Sequence, residues 1–271
     1  MSRLHATALV VTLLACSAAA QAPNPCTRTV RADVVAIDQA YQINRLGTSR
    51  PGGLLFALRA DVESTDAKSA ELQAGRVQLK SYKRPRPMVL RANVGDCVTI
   101  DLQNLLASTP TDPIQPATRN VSLHITGMSL RESIISDGMW VGQNPPGPNG
   151  LSGGVPPGGK ITYSLYASAE GSFLIYSTPG DFNNFGTQQL TMGLFGAMNV
   201  EPKGAEWYRS QVTESDLAMA TTGKFPDGHP KLNYDALYPP GNPRAGKPIL
   251  RMLDANGNIA HTDLTAVITG P

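Results

Sequence analysis

The chain alternates between short apolar runs and clusters of glycine, proline and asparagine, most densely between Val89 and Val200. Residues 89–105 read as two strands separated by Gly95-Asp96, the second with Val98, Ile100 and Leu102 alternating against Thr99 and Asp101. Residues 120–128 read as a strand ending at Gly127. The turn Pro156-Pro157-Gly158-Gly159 leads into the alternating run Ile161-Thr162-Tyr163-Ser164-Leu165-Tyr166, and residues 171–177 and 193–200 supply two more strands. Short strands divided by glycine and proline turns predict an all-β sandwich or barrel. No stretch of helical length with a 3.6-residue period competes with them.

Before this region, residues 28–38 form a first strand through Val30, Val34, Val35 and Ile37, and residues 41–47 carry it into a turn. Pro51-Gly52-Gly53 breaks the chain ahead of the apolar run 54–58. Residues 64–75 are polar and predict a loop or one short helix, with a further strand at 77–79. Lys83-Arg84-Pro85-Arg86-Pro87 reads as a solvated, extended lead-in to the next strand, with an anion-binding patch as the alternative. Residues 106–118, 137–154 and 181–189 are long loops. Trp140, Val141, Phe182 and Phe185 are their large apolar groups, placed to roof one end of the sandwich or to meet a neighbouring domain.

After Val200, Glu201-Pro202-Lys203-Gly204 is a linker signal. Trp207 and Tyr208 are expected to pack back on the first domain or onto a second. Residues 218–246 read as loop, followed by a hairpin of strands 248–253 and 262–268 around a turn at 254–258. Two strands cannot cover their own apolar face. Residues 203–271 therefore read as a linker and the incomplete start of a second domain of the same kind.

The ordered series resembles the N-terminal cupredoxin (plastocyanin-like) domain of a bacterial secreted multicopper oxidase, over residues 27–210. Its members are the segment leading to Gly95-Asp96, the strand before Gly127, the Pro-Gly turn before Ile161 and the closing strand at 193–200. The resemblance implies a cupredoxin-like Greek-key β-sandwich over residues 23–202, with long loops and a C-terminal extension. It implies copper in complete relatives, and later cupredoxin domains or another copy of the chain as partners.

In that family the first domain supplies two His-x-His pairs. Here the first falls at His124 and Thr126 and the second at Tyr176 and Thr178, so three of four positions carry hydroxyls. A blue-type copper site needs two histidines, a cysteine and a weak axial ligand, and hydroxyls replace imidazole poorly on copper. Besides His5 near the start, the chain's histidines are His124, His229 and His261. His124 is the one candidate metal ligand; the competing reading has it satisfied by a backbone carbonyl or by Asp137. His229 and His261 read as surface groups, and Met128 and Met139 as packing. Ser177, His124 and Asp181 can be written as a hydrolase triad, but no nucleophile elbow supports it. The expectation is a structural N-terminal domain without a complete copper site or copper of its own. A non-enzymatic cupredoxin-like binding or assembly domain is the alternative.

The amino terminus adds a compartment. A positive start at Met1-Ser2-Arg3, an apolar run at 6–15 and the small-x-small site Ala20-Gln21-Ala22 predict a signal peptide over residues 1–22, and a secreted or periplasmic product. The apolar run is too short for an ordinary spanning helix. Leu13-Leu14-Ala15-Cys16 competes as a lipidation box, which makes Cys16 a lipid anchor in the lipoprotein alternative. Removing residues 1–22 takes away Arg3 and no acidic group, so the formal charge falls from +2 to +1. That balance leaves no electrostatic footprint for nucleic acid or an anionic membrane. Cys26 and Cys97 remain, and two cysteines in an exported chain predict a disulfide, with copper ligation by Cys97 as its rival.

Overall fold

The structure is a computed structural model that describes residues 26–116, 118–139, 154–179 and 188–270. The signal segment with Cys16, the loop groups Trp140 and Val141, and Asp181, Phe182 and Phe185 lie outside the described residues. In chain order the elements are β1 (Thr29–Asp38), β2 (Tyr41–Gln42), β3 (Ser49–Arg50), β4 (Leu54–Leu58), β5 (Val62–Ser64), β6 (Val77–Leu79), β7 (Met88–Asn93) and β8 (Cys97–Asn104). There follow β9 (His124–Ile125), β10 (Ser129–Leu130), β11 (Lys160–Tyr166), β12 (Gly171–Tyr176), helix α1 (Gln188–Met192) and β13 (Phe195–Glu201). The chain ends with β14 (Glu206–Arg209), helix α2 (Glu214–Ala220), β15 (Thr221–Lys224), β16 (Pro230–Leu232) and β17 (Ala266–Thr269).

Two sheets face each other, one in the order β10-β11-β8-β1-β4 and the other β7-β13-β12-β9. β1 runs parallel to β8, and β7 parallel to β13. Parallel neighbours cannot be joined by a tight turn, so the chain crosses between sheets, and the Gly95-Asp96 turn is one such crossing. Gly95 sits at φ 91°, where a Cβ would come within 2.6 Å of Thr27 Oγ1. The Asp96 carboxylate then closes the corner, accepting hydrogen bonds from the Asn93 N–H at 2.7 Å and from Arg28 Nε at 2.9 Å.

Alternate side chains of a strand point to one face, and the core follows that rule. Val30, Ala32, Val34 and Ala36 of β1 and Val98, Ile100 and Leu102 of β8 meet Leu90 and Ala92 of β7 and Met198 and Val200 of β13. The other face of β1 and β4 is covered too. Val35, Ile37, Leu55 and Ala57 pack under Val62 and Val77 of the β5–β6 hairpin, with Leu105. This explains why all five residues of Leu54–Leu58 are buried without alternation: a strand covered on both faces has no polar side.

β7 is buried at every position for a different reason. Leu90 and Ala92 enter the core, whereas Arg91 and Asn93 are roofed by the chain after β13. Arg91 donates to the carbonyls of Asp263 at 2.9 Å and Leu264 at 3.1 Å. Asn93 donates to the Ala205 carbonyl at 2.7 Å and accepts from the Trp207 indole at 2.8 Å. Trp207 itself joins the main core with Met252 and Ile259, and the Arg28 guanidinium lies 4.7 Å over its ring.

Several expectations are corrected. Residues 248–253 and 262–268 do not form a hairpin: β17 pairs with β14, and residues 248–253 make only isolated bridges, among them Tyr208 with Arg251. The strand expected over 120–128 contracts to His124–Ile125. Two short helices run into segments read as loop, α1 at 188–189 and α2 at 218–220; α2 is capped by Thr213, whose hydroxyl accepts the Asp216 N–H at 3.1 Å, with Glu214 and Asp216 in the first turn. Cys26 and Cys97 are joined in a disulfide, with Cα atoms 5.3 Å apart, so the ligand reading of Cys97 falls. No helix among the described residues is long and apolar enough to cross a membrane.

Candidate functional site

The sequence-predicted positions converge at the end of the sandwich where β9 meets β12. The register sets Tyr176 opposite His124, their rings edge to face at 5.3 Å between centroids. His124 Nδ1 lies 2.6 Å from the backbone carbonyl of Asp137 and 3.5 Å from its carboxylate. A carbonyl can only accept, so Nδ1 is the donor in this contact. The turn that delivers Asp137, Ile134–Asp137, ends at Gly138 with φ 68°. A Cβ on Gly138 would lie 2.2 Å from the Leu123 carbonyl, so only glycine lets this loop rest against the segment before His124.

The surrounding hydroxyls are engaged with the main chain and with one another. Thr178 Oγ1 donates to the Gly138 carbonyl at 3.0 Å and stands 3.0 Å from Ser122 Oγ, which accepts the Thr178 N–H at 3.1 Å. Ser177 donates to Gln189 Oε1 at 2.6 Å and accepts the Ser122 N–H at 3.1 Å. Gln189, on α1, donates to the Asn120 carbonyl at 2.7 Å. The buried Tyr163 hydroxyl accepts the Leu123 N–H at 3.0 Å, and burial pushes its phenol well above the usual range. Tyr176 reaches Met139 Sδ at 4.0 Å.

The structure thus brings His124, Tyr176 and Thr178 to one end, with Met139 beside them. Thr126 does not join them: its hydroxyl accepts the Leu174 N–H at 3.1 Å and faces the Leu174 carbonyl at 3.4 Å, lacing β9 to β12 at an exposed edge. Ser177 hydrogen-bonds Gln189 in place of His124, and Asp181 of the written triad lies outside the described residues. His229 is exposed on the β15–β16 turn. His261, expected at the surface, is buried, with Nε2 2.6 Å from the Pro248 carbonyl. Burial first, and then the Arg209 charge, push its imidazole down to about 4. Among the described residues no three His, Cys, Asp or Glu groups cluster so as to hold a metal ion. The network residues Ser122, Ser177 and Gln189 are a finding of the structure. Their only trace in the sequence is the run of small polar residues flanking each candidate pair, whose buried members must find partners.

The family model described as "Multicopper oxidase" matches residues 65–205, which runs from the β5–β6 loop through β13 to the start of the C-terminal segment. Similar solved structures include a multi-copper oxidase from Pseudomonas thermotolerans, 17% identical, covering 65% of this chain and 30% of that one at a TM-score of 0.38. A copper nitrite reductase from Nitrosomonas europaea is 16% identical, with 65% and 42% covered and a TM-score of 0.38. Multicopper oxidase mgLAC is 14% identical, with 72% and 43% covered and a TM-score of 0.39. The chain spans less than half the length of each of these proteins. No curated protein matches it. With the family match covering more than half of its residues, and an all-β, two-sheet fold carrying the matched strands, the chain belongs to the multicopper oxidase family.

Proposed function

We propose that residues 23–202 are a structural, N-terminal cupredoxin-like domain of an exported multicopper-oxidase-type protein, and that this domain lacks a complete copper site of its own. Residues 203–271 are a linker and the start of a second cupredoxin-like domain, of which Ala205, Asp263 and Leu264 dock on β7. Any oxidase chemistry then belongs to copper held by later domains or by another copy of the chain, and the product is secreted or periplasmic.

The observation that carries this reading is the donor set where β9 meets β12. One imidazole, His124, stands among the hydroxyls of Tyr176, Thr178 and Ser122, and Thr178 already donates to a main-chain carbonyl. Copper in this family calls for clustered imidazoles or a thiolate, and among the described residues Cys26 and Cys97 are both consumed in the disulfide. These residues do not fit a multinuclear copper centre. What they do is join strands. Thr178 and Ser122 tie the end of β12 to the segment before β9, and His124 holds the Asp137 carbonyl, so the loop over that end is fixed by hydrogen bonds in the place of metal bonds.

The test is the copper content of the 23–271 protein after incubation with excess Cu(II) and desalting, measured by inductively coupled plasma mass spectrometry beside His124→Ala. Both proteins are expected to retain far less than one copper per chain, with no difference between them. One or more coppers per chain, lost on removing His124, overturns the reading.

A further inference from the structure

Lys83, Arg84, Arg86 and Pro87 of the basic stretch 83–87 line a cavity of about 310 Å³ between β4 and the C-terminal segment. The lining also carries Arg209, Arg244 and Lys247. Lys83 and Lys247 share Asp61, at 2.8 and 3.3 Å. Arg209 pairs with Asp263 at 2.5 Å and with Asp216 at 3.4 Å, and Arg244 grips Asp216 through both amino groups, at 2.6 and 3.1 Å. Six cations therefore meet three carboxylates. Arg84 and Arg86 are exposed and make no ion pair or side-chain hydrogen bond among the described residues.

The walls behave as an electropositive chamber. His261, on the same lining, is kept neutral by burial and by Arg209. Lys247 is pulled below the usual lysine range by burial, with Lys83 and Lys80 working against the support of Asp61. The two unpaired arginines are also held ready. Each precedes a proline, which restricts its backbone to the β or polyproline II region.

We propose that this cavity binds a small oxyanion carrying two or more negative charges, with Arg84 and Arg86 as its principal ligands. Guanidinium forks match carboxylate and phosphate oxygens in pairs. The volume stands at the low end for ligand pockets, which selects a molecule about the size of pyrophosphate or citrate over a polymer. The site is independent of the His124 end of the sandwich and of any copper there.

Isothermal titration of the full chain at low salt with pyrophosphate, and separately with citrate, tests it. One saturable site is expected, with a dissociation constant below about 1 mM, weakened at least tenfold in Arg84→Gln/Arg86→Gln. The melting temperature of the unliganded double variant should match wild type, because neither arginine holds the fold. Lys203→Gln, an exposed charge in the β13–β14 turn, should bind as wild type does. Binding of pyrophosphate alone assigns a phosphate-bearing ligand, of citrate alone a polycarboxylate, and of both the general class. Absence of saturable heat with either, or undiminished binding by the double variant, overturns the proposal.

Discussion

Trp207→Ala probes whether residues 203–270 are part of one folded unit with the sandwich. The indole is 5% exposed, packs in the main core beside Ala205 and Met252, and donates to the buried Asn93 side chain at 2.8 Å. Truncating a buried tryptophan costs about 3–5 kcal/mol. Of this, about 1–2 kcal/mol belongs to the Asn93 oxygen left without its donor. Trp207→Phe keeps most of the ring and loses the N–H, so it isolates the smaller share at about 1–2 kcal/mol. For a unit of this size each kcal/mol lowers the melting temperature by about 2–4 °C, so the alanine variant should melt about 6–20 °C lower. Urea unfolding followed by circular dichroism gives the free energies, and hydrogen exchange gives the location. Amides of β14 and of β7 should lose protection together, since Trp207 and Asn93 join the two strands. A loss under about 1 kcal/mol, or a C-terminal segment that melts alone while the sandwich midpoint stays put, refutes the reasoning.

Two further outcomes follow from the same physics. His261 is neutral in the folded chain, with its pKa depressed from 6.5 to about 4, so the stability it contributes is complete above pH 6.5 and is lost as pH falls from there toward 4. Unfolding free energies from urea at pH 7.5 and 4.5 should differ by about 2–3 kcal/mol from this group in wild type; a His261→Gln variant with the same acid loss refutes the assignment. The Cys26–Cys97 bond closes a separation of 71 residues, and replacing both cysteines with serine should lower stability by about 4 kcal/mol in urea; a loss below 1 kcal/mol would show that the bond adds little to the packing around it.

Strand positions were legible where one face of the chain is wet. β8 and β11 keep their alternation, and the Gly95-Asp96 and Pro-Gly turns mark their ends, so periodicity placed them within a residue or two. Legibility failed where the backbone spends its hydrogen bonds on side chains. Residues 120–123 look like strand, but the Ser122 and Leu123 N–H groups go to Ser177 and Tyr163, leaving only two residues of β9 in the ladder. α2 carried a readable cap in Thr213-Glu214-Ser215-Asp216, yet seven residues are too few for a periodic signal. The roof over β7 was invisible because an arginine and an asparagine in a strand look solvent-facing until their distant partners are known. At the candidate site, the sequence places His124, Tyr176 and Thr178 through a family pattern, whereas Thr126's lacing role and the Ser177–Gln189 contact depend on strand register.

The roofed β7 has a consequence for how the molecule is made. Arg91 waits 172 positions for the carbonyl of Asp263, and β1 and β8 pair in parallel across a long excursion. Such distant closures slow the search for the native topology, and a growing chain must carry the outer face of β7 uncovered until residues 205–264 have been made. During that interval the strand is open to other chains and to proteases, so the yield of correctly folded protein should be governed by how soon residues 205–264 arrive.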